Sequence, residues 1–256
     1  VTETDSSTLT GGIDWVNSRI SHTLGSNIEN LVKSGNANAS LTGNSLANII
    51  DGRSGGINTL SGGAGNDTLV ANVARLGRID GGANTDFLRF VGNSLTLNNA
   101  ILTNIEALDL SSLTGNSAVT LGGNSTGLDT ILGGAGADSI TATTGFGNQT
   151  ITLDGGDGDD RFTFSSVAQM AAASLFGGEG ADTLAYSSAI TDLVDANFTN
   201  LSGSSTEVLE LSGIGNRATL GANAEAAGIA TIVGGTDDDK IDASGYVVKG
   251  VTIDVS

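Results

Sequence analysis

The feature that most constrains this chain is a short glycine-rich block that recurs with the pattern G-G-x-G-x-D-x-U, where U is apolar. Four complete copies begin at Gly62, Gly133, Gly155 and Gly177. Self-similarity of this kind is the signature of repeat architectures, in which each repeat is one structural unit stacked on the next. The chain is therefore predicted to be a repeat protein and not a conventional globular domain.

Two further copies depart from the pattern at its fourth position. The copy that begins at Gly81 has Asn84 there, and the copy that begins at Gly234 has Asp237. Asn and Asp are the residues other than glycine that best tolerate a left-handed backbone. The two substitutions therefore predict a loop whose fourth residue has a positive φ.

Short runs of alternating apolar and polar residues flank the complete loops, for example at residues 151–153 and 162–164. Such alternation is a strand signal. The copies at 133, 155 and 177 are 22 residues apart, which is enough for two strands and two turns. We therefore predict an all-β fold, a parallel β-solenoid or β-roll, in which each strand pairs in parallel with its equivalent one coil away.

A second, longer repeat connects these blocks. Residues 104–110 read N-I-E-A-L-D-L and resemble residues 205–211, S-T-E-V-L-E-L. Glu106 and Glu207 are expected to set strand register or to form a turn, and a role as metal ligands is the alternative. No break separates these spacers from the loops. One continuous solenoid is therefore predicted over residues 27–256, with residues 1–26 irregular and a short helical turn at residues 167–173.

Composition narrows the functional classes. The chain has 28 acidic and 10 basic residues and a formal net charge of −18, so nucleic acid and anionic membranes are not expected as partners. No apolar run approaches the roughly 18 residues that span a bilayer. The absence of Cys fits either a reducing compartment or export in an unfolded state. Carboxylates collected in glycine loops also suit a divalent cation.

Catalytic signatures are weak. Residues 62–67 are not followed by the Gly-Lys-Ser/Thr of a phosphate loop. His22 is the only histidine and has no acid pair near it, so a catalytic or zinc role is not expected. Basic residues are scattered and aromatic residues are few, which disfavours a β-helix enzyme acting on acidic polysaccharide. The chain is therefore predicted not to be an enzyme, and Trp15 is expected to cover the first coil.

The loops resemble the hemolysin-type calcium-binding repeats, also called RTX repeats. The resemblance is strong at the six loops and weaker over residues 27–60, and the Glu-x-Leu spacers resemble those of RTX surface-layer and adhesin-like proteins. It implies a parallel β-roll in which calcium lies between the loops of adjacent coils, bound by backbone carbonyls and Asp carboxylates. It also implies type I secretion of the unfolded chain and folding in calcium outside the cell.

Carried onto this chain, the resemblance implies several calcium ions. The implied side-chain ligands are Asp67, Asp86, Asp138, Asp160, Asp182 and Asp239. The implied backbone ligands are Gly62, Gly63, Gly65, Gly81, Gly82, Gly133, Gly134, Gly136, Gly155, Gly156, Gly158, Gly177, Gly178, Gly180, Gly234 and Gly235. Weaker copies of the block begin at residues 43 and 52 and lack the aspartate, so we expect them to keep the loop geometry without full metal binding.

These observations lead to two functional hypotheses. The first is a calcium-binding structural module of a secreted or cell-surface protein, such as a surface layer or an adhesin. The second is the carboxy-terminal export and folding module of a secreted enzyme whose catalytic domain lies outside this sequence. The acidic N-terminus without an initiator Met indicates a piece of a longer chain.

The end of the chain carries a further expectation. Residues 251–255 alternate as a half-buried strand, and no polar cap follows them. Because an open strand edge can pair with another chain, self-association or surface-layer assembly is expected. The alternative is that this strand folds back or frays.

Overall fold

A computed structural model describes residues 12–72, 76–93, 96–98, 102–121, 127–142, 150–201, 203–236, 238–248 and 250–254. The chain divides into two compact units. Unit 1 comprises residues 1–93 and 100–112, and unit 2 comprises residues 94–99 and 113–256. Within the described ranges, no helix is long and apolar enough to cross a membrane.

The described residues form mostly short strands, as the alternating sequence predicts. In chain order these are β1 (Trp15–Ser18), β2 (His22–Thr23), β3 (Asn30–Lys33), β4 (Ser40–Thr42), β5 (Ile49–Asp51), β6 (Asn58–Ala64), β7 (Thr68–Asn72), β8 (Leu76–Ala83), β9 (Phe87–Val91), β10 (Thr96–Asn98), β11 (Leu102–Thr103), β12 (Ala107–Asp109), β13 (Ala118–Leu121), β14 (Thr130–Leu132), β15 (Ser139–Ala142), β16 (Ile151–Asp157), β17 (Arg161–Phe164), β18 (Ala173–Glu179), β19 (Thr183–Tyr186), β20 (Leu193–Val194), β21 (Val208–Glu210), β22 (Arg217–Thr219), β23 (Thr231–Val233), β24 (Lys240–Asp242) and β25 (Thr252–Asp254).

Helices are few and short in the described part of the chain. They are α1 (Val167–Ala171), a 3₁₀ helix (Asp195–Leu201) and α2 (Ala222–Ala227). The hydroxyl of Ser166 caps α1 by accepting a hydrogen bond from the backbone N–H of Gln169. The helical turn predicted for residues 167–173 is confirmed over residues 167–171, whereas Ala173 already begins β18.

In unit 1 the strands form two parallel sheets. One sheet has the strand order β1-β3-β5-β7-β9-β12, and the other has β2-β4-β6-β8-β11. Ile50 is in register with Leu69, and Leu69 is in register with Leu88. Equivalent loop residues at Asn48, Asp67 and Asp86 are 19 positions apart.

Unit 2 repeats the same arrangement with longer coils. Its strands have the orders β10-β13-β15-β17-β19-β21-β23-β25, β14-β16-β18 and β20-β22-β24. Ile140, Phe162 and Leu184 are in register on parallel strands, and equivalent loop residues are 22 positions apart. The predicted parallel β-solenoid is confirmed, because each strand pairs with its equivalent one coil away. The continuity of the solenoid over both units stays a prediction.

Strand alternation produces a layered core inside each coil. Leu31, Ile50, Leu69 and Leu88 occupy equivalent positions, and all are 0% exposed. Full burial of a side chain of this size stabilises the fold by about 1.5–3 kcal/mol. Aromatic side chains are also part of this core, and Phe162 in β17 is 0% exposed.

The sequence predicted that regular structure begins at residue 27, but β1 and β2 already lie before it. β1 and β2 pair in parallel with β3 and β4. Val16 continues the buried row that contains Leu31, whereas Trp15 is 58% exposed on the outer face. Trp15 therefore does not cover the coil, because the alternation of β1 directs its neighbour inward. Residues 1–11 lie outside the described residues.

We predict that Phe162→Ala lowers the free energy of unfolding by about 3–5 kcal/mol, because it leaves a cavity between Ile140 and Leu184. Phe176→Ala is the matched control, since Phe176 is 47% exposed, and its effect should stay below about 1 kcal/mol. Denaturant unfolding of both variants in one buffer measures the difference. Equal losses in the two variants would contradict the assignment of Phe162 to the core.

Candidate metal-binding loops

The aspartate-containing loops lie at corners where the chain passes from one sheet of a unit to the other. In unit 1, residues 62–67 lead from β6 to β7, and residues 81–86 lead from β8 to β9. In unit 2, residues 133–138, 155–160 and 177–182 occupy the equivalent corners before β15, β17 and β19. The loops of successive coils are stacked because their flanking strands are in register.

A ladder of hydrogen bonds joins the stacked loops of unit 1. Asp67 Oδ1 accepts a hydrogen bond from the backbone N–H of Asn48 at 2.7 Å. Asp86 Oδ1 accepts one in the same way from the backbone N–H of Asp67 at 2.8 Å. Each carboxylate therefore binds the loop of the coil that precedes it.

The same ladder runs through unit 2. Asp138 Oδ1 accepts from the backbone N–H of Ser117 at 2.6 Å. Asp160 and Asp182 continue the series by accepting from the N–H groups of Asp138 and Asp160 at 2.7 and 2.8 Å. We call the stacks Asp67–Asp86 and Asp138–Asp160–Asp182 the acidic rows of units 1 and 2.

Most carboxylates of the acidic rows have one oxygen without a partner. The aspartates are almost fully buried, with exposed fractions between 0% and 3%. The Oδ2 atoms that are buried and make no hydrogen bond belong to Asp67, Asp86, Asp160 and Asp182. An unpaired buried anionic oxygen is strongly unfavourable, so these sites require a proton or a cation.

The first glycine of each loop determines what surrounds these oxygens. A Cβ atom added at Gly62 would collide with Asp67 Oδ2 and with the carbonyl oxygen of Gly81 in the next coil. Equivalent collisions with the loop's own aspartate and with a carbonyl of the next coil would occur at Gly155 and Gly177. Glycine thus lets a carboxylate oxygen and a carbonyl oxygen approach each other, and calcium prefers an oxygen donor set of this kind.

The loops also need a left-handed backbone at defined positions. The second glycine of the first complete copy, Gly63, has a φ of +111°. Asn84 has a φ of 86°, which confirms the positive φ predicted for the fourth position of that loop. Asp237, the other exception, lies outside the described residues.

A family model for the RTX calcium-binding nonapeptide repeat matches the chain in four copies, over residues 53–73, 125–147 and 152–166. These stretches of the chain are RTX-type repeats. They include Asp67, Asp138 and Asp160. No curated protein and no solved structure matches the chain.

Two of the six implied ligands differ from the other loop aspartates. Asp138 Oδ2 accepts a hydrogen bond from the backbone N–H of Gly134 at 2.9 Å, so both of its oxygens have partners. Asp239 lies at the corner between β23 and β24, where its Oδ1 accepts from the backbone N–H and the side-chain amide of Asn216 at 2.7 and 2.9 Å. The structure therefore does not bring Asp239 into the acidic row of unit 2.

In the weaker copy at residues 43–48, a neutral side chain takes the place of the aspartate at the equivalent corner. Asn48 stands at the aspartate position and accepts a hydrogen bond from the N–H of Asn44 at 2.7 Å. Its Nδ2 donates to the carbonyl oxygens of Ile28 and Glu29 at 3.3 and 3.0 Å. An amide donor here contacts backbone carbonyls of the neighbouring coil, whereas Oδ2 of Asp67 has no partner.

Sequence reasoning missed a buried lysine at the opposite corner of a coil in unit 1. Lys33 is 1% exposed, and its Nζ donates to the carbonyl oxygens of Ser34 and Gly35 at 2.6 and 3.2 Å. A lysine at the inward position of a strand, directly before Ser-Gly, was the available sequence signal.

Burial changes the pKa values of the loop aspartates. Removal from water raises the pKa of Asp67 to about 6 and that of Asp160 to about 7, and neighbouring carboxylates add to both shifts. Burial also raises the pKa values of Asp86 and Asp182. Backbone hydrogen bonds to these groups act in the opposite direction but do not cancel the effect of burial.

Carboxylates alone do not complete a metal site here. Among the described residues, no three or more His, Asp or Glu side chains gather in one place. A metal ion in the acidic rows would therefore depend on backbone carbonyl oxygens as well as on the aspartates. Such a mixed donor set is typical of calcium, which takes six to eight oxygen ligands.

We predict that, in chelator, strand content falls as the pH rises from about 4.5 to 8. Asp67 and Asp160 have raised pKa values, so the folded state binds more protons than the unfolded state. The stability gained from these protons is complete below the unfolded pKa of 3.8 and is lost as the pH passes through about 6 to 7. Circular dichroism over this pH range measures the effect.

Two variants separate this effect from general charge repulsion. Asp160→Asn should flatten the pH dependence, because it removes the group with the highest of these pKa values. Asp129→Asn makes the same charge change at an exposed residue outside the loops and should leave the profile unchanged. Strand content that rises with pH in chelator would contradict the burial argument.

Proposed function

We propose that this chain is a calcium-binding structural module of a secreted or cell-surface protein, and that it folds when it binds calcium outside the cell. One observation carries the proposal. Within the glycine-rich loops, Asp67, Asp86, Asp160 and Asp182 each bury a carboxylate oxygen that has no hydrogen-bond partner. A carbonyl oxygen of the next coil lies near each of these oxygens, at the first glycine of the loop.

The proposed ligands divide into side-chain and backbone groups. The carboxylates are those of Asp67, Asp86, Asp138, Asp160, Asp182 and Asp239, and the backbone groups are the carbonyls of the loop glycines. Four of these aspartates have a free buried oxygen, and Asp138 and Asp239 do not. The proposal is therefore best supported for the first four.

Calcium would supply positive charge and several oxygen-coordinating positions at each corner. Stacked aspartates repel one another, and the repulsion contributes to the raised pKa values of Asp67 and Asp160. A single coil cannot bury its apolar face alone, so folding requires that neighbouring loops stack. Because the loops are assembled only in the folded chain, the free energy of calcium binding becomes free energy of folding.

The proposed location follows from the affinity expected of such sites. Each loop contributes one aspartate and backbone carbonyls, and no dedicated multi-carboxylate cage is present in the described residues. Extracellular calcium modules bind in the range of about 10⁻⁴–10⁻³ M. A module tuned to this range would remain unfolded at low calcium and fold where calcium is abundant, which supports a structural role outside the cell.

We predict that the chain loses most of its strand content in excess chelator and regains it on calcium addition, with a midpoint of about 10⁻⁴–10⁻³ M. Circular dichroism during a calcium titration tests this, with magnesium at equal concentration as the control ion. Magnesium demands near-octahedral geometry and dehydrates reluctantly, so it should not replace calcium. Full strand content in chelator that calcium does not change would refute the proposed function.

We also predict that Asp160→Asn raises the calcium midpoint by about tenfold or more, since loss of a group that supports a metal site costs 10–100-fold in affinity. The amide oxygen of Asn can still accept the hydrogen bond from Asp138 N–H, so the variant mainly removes charge. Asp129→Asn is the control, because Asp129 is exposed and lies outside the loops. Equal midpoints for the two variants would remove Asp160 from the ligand set.

A further inference from the structure

Two glutamates of the spacer segments occupy the next position in the acidic rows. Glu106 Oε2 accepts a hydrogen bond from the backbone N–H of Asp86 at 2.6 Å. Glu207 Oε2 accepts one from the backbone N–H of Asp182 at 2.8 Å. In the coil before, Asp182 Oδ1 makes this contact with the N–H of Asp160 at 2.8 Å. Each spacer therefore adds a carboxylate to the row where an RTX aspartate would otherwise follow.

The backbone of the spacers also reproduces the loop corner. Beside Gly81, the carbonyl oxygen of Asn104 lies where a glycine carbonyl lies in the preceding coil. Asn104 has a φ of 52°, so the left-handed conformation of the loop is retained two residues before the acid. The spacer turn from Asn104 to Glu106 has three residues, whereas the loop from Gly81 to Asp86 has six. The longer glutamate side chain reaches the same N–H from this shorter turn.

Unit 2 contains an independent copy of this arrangement. The carbonyl oxygen of Ser205 lies beside Gly177, close to Asp182 Oδ2. Ser205 has a φ of 54°, close to the value at Asn104. The same turn, the same acid and the same backbone contact thus recur at the end of both acidic rows.

A separate observation indicates that these corners need a ligand. Asp86 and Asp182 are both 0% exposed, and the Oδ2 atom of each is buried without a hydrogen-bond partner. Each of these oxygens lies close to the spacer carbonyl of Asn104 or Ser205. A buried anionic oxygen beside a carbonyl oxygen and a second carboxylate lacks a positive group, and an oxygen-only donor set suits calcium.

We propose that Glu106 and Glu207 are calcium ligands that complete the last site of each acidic row, an inference that rests on the proposed function. The site in unit 1 would use Asp86, Glu106 and the carbonyl of Asn104. The site in unit 2 would use Asp182, Glu207 and the carbonyl of Ser205. The spacers would then be binding elements that close each row with a second carboxylate, and not only connections between RTX loops.

Glu207→Gln tests the inference, because glutamine keeps an oxygen that can accept the hydrogen bond from Asp182 N–H and removes only the charge. Glu179→Gln is the matched control. It makes the same substitution in the same unit, within the loop that contains Asp182, at an exposed residue. Glu106→Gln repeats the test in unit 1. Calcium stoichiometry and affinity are measured by isothermal titration calorimetry, and folding is followed by circular dichroism.

We expect Glu207→Gln and Glu106→Gln each to bind one calcium ion fewer than the wild type, or to bind one about tenfold more weakly. Glu179→Gln should bind as the wild type does. Wild-type binding of calcium with no difference between Glu207→Gln and Glu179→Gln would overturn the inference and leave the proposed function intact. A wild type that binds no calcium would instead overturn the proposed function.

Folding failure is also a decisive outcome. If Glu207 and Glu106 act through calcium, a higher calcium concentration should restore the strand content of their variants by mass action. A variant that stays unfolded at saturating calcium would show that its glutamate is required by the backbone contact alone, and would count against the inference.

Discussion

A hydrogen bond from the backbone N–H of one coil to the acid of the next determines the chemistry of the acidic rows. It fixes the position of each aspartate through Oδ1 and draws the whole carboxylate out of water. Oδ2 is then buried beside a carbonyl oxygen, with no partner at four of the aspartates. Regular stacking and unpaired negative charge therefore have one cause, and the fold can be stable only where the charge is compensated.

The chain compensates comparable corners in different ways. Asn48 replaces the anion by an amide, whose nitrogen donates to the carbonyls of Ile28 and Glu29. Lys33 donates hydrogen bonds from its ammonium group to the carbonyl oxygens of Ser34 and Gly35. These corners are satisfied by the protein's own donors, whereas Oδ2 of Asp160 receives no hydrogen bond. An amide at the aspartate position therefore supplies a donor that a carboxylate does not.

Much of the fold could be predicted from the spacing of the glycine blocks, because a coil must return each strand beside its equivalent. The 22-residue step of unit 2 and the helical turn after β17 follow from such local patterns. The separation of Asp239 from the acidic row could not be predicted, since the one departure of its loop from the pattern, at Asp237, resembles that at Asn84 in a loop that does join a row. Only the fold shows that the loop of Asp239 leads into β24 and pairs with Asn216. The burial of Lys33 also could not be predicted, because lysine side chains are almost always exposed. Glu106 looked like a register residue, and only the contact with Asp86 places it in the row.

The ladder has a direction. Each acid serves the loop that precedes it, so Asp86 holds the N–H of Asp67, and Glu106 holds the N–H of Asp86. The residue that completes a corner therefore lies 19 to 25 positions further along the chain than the corner itself. A substitution in one loop should disturb the geometry of its upstream neighbour before its own. Sequence variation in such a solenoid is thus best interpreted with an offset of one coil between the altered residue and the structure that it supports.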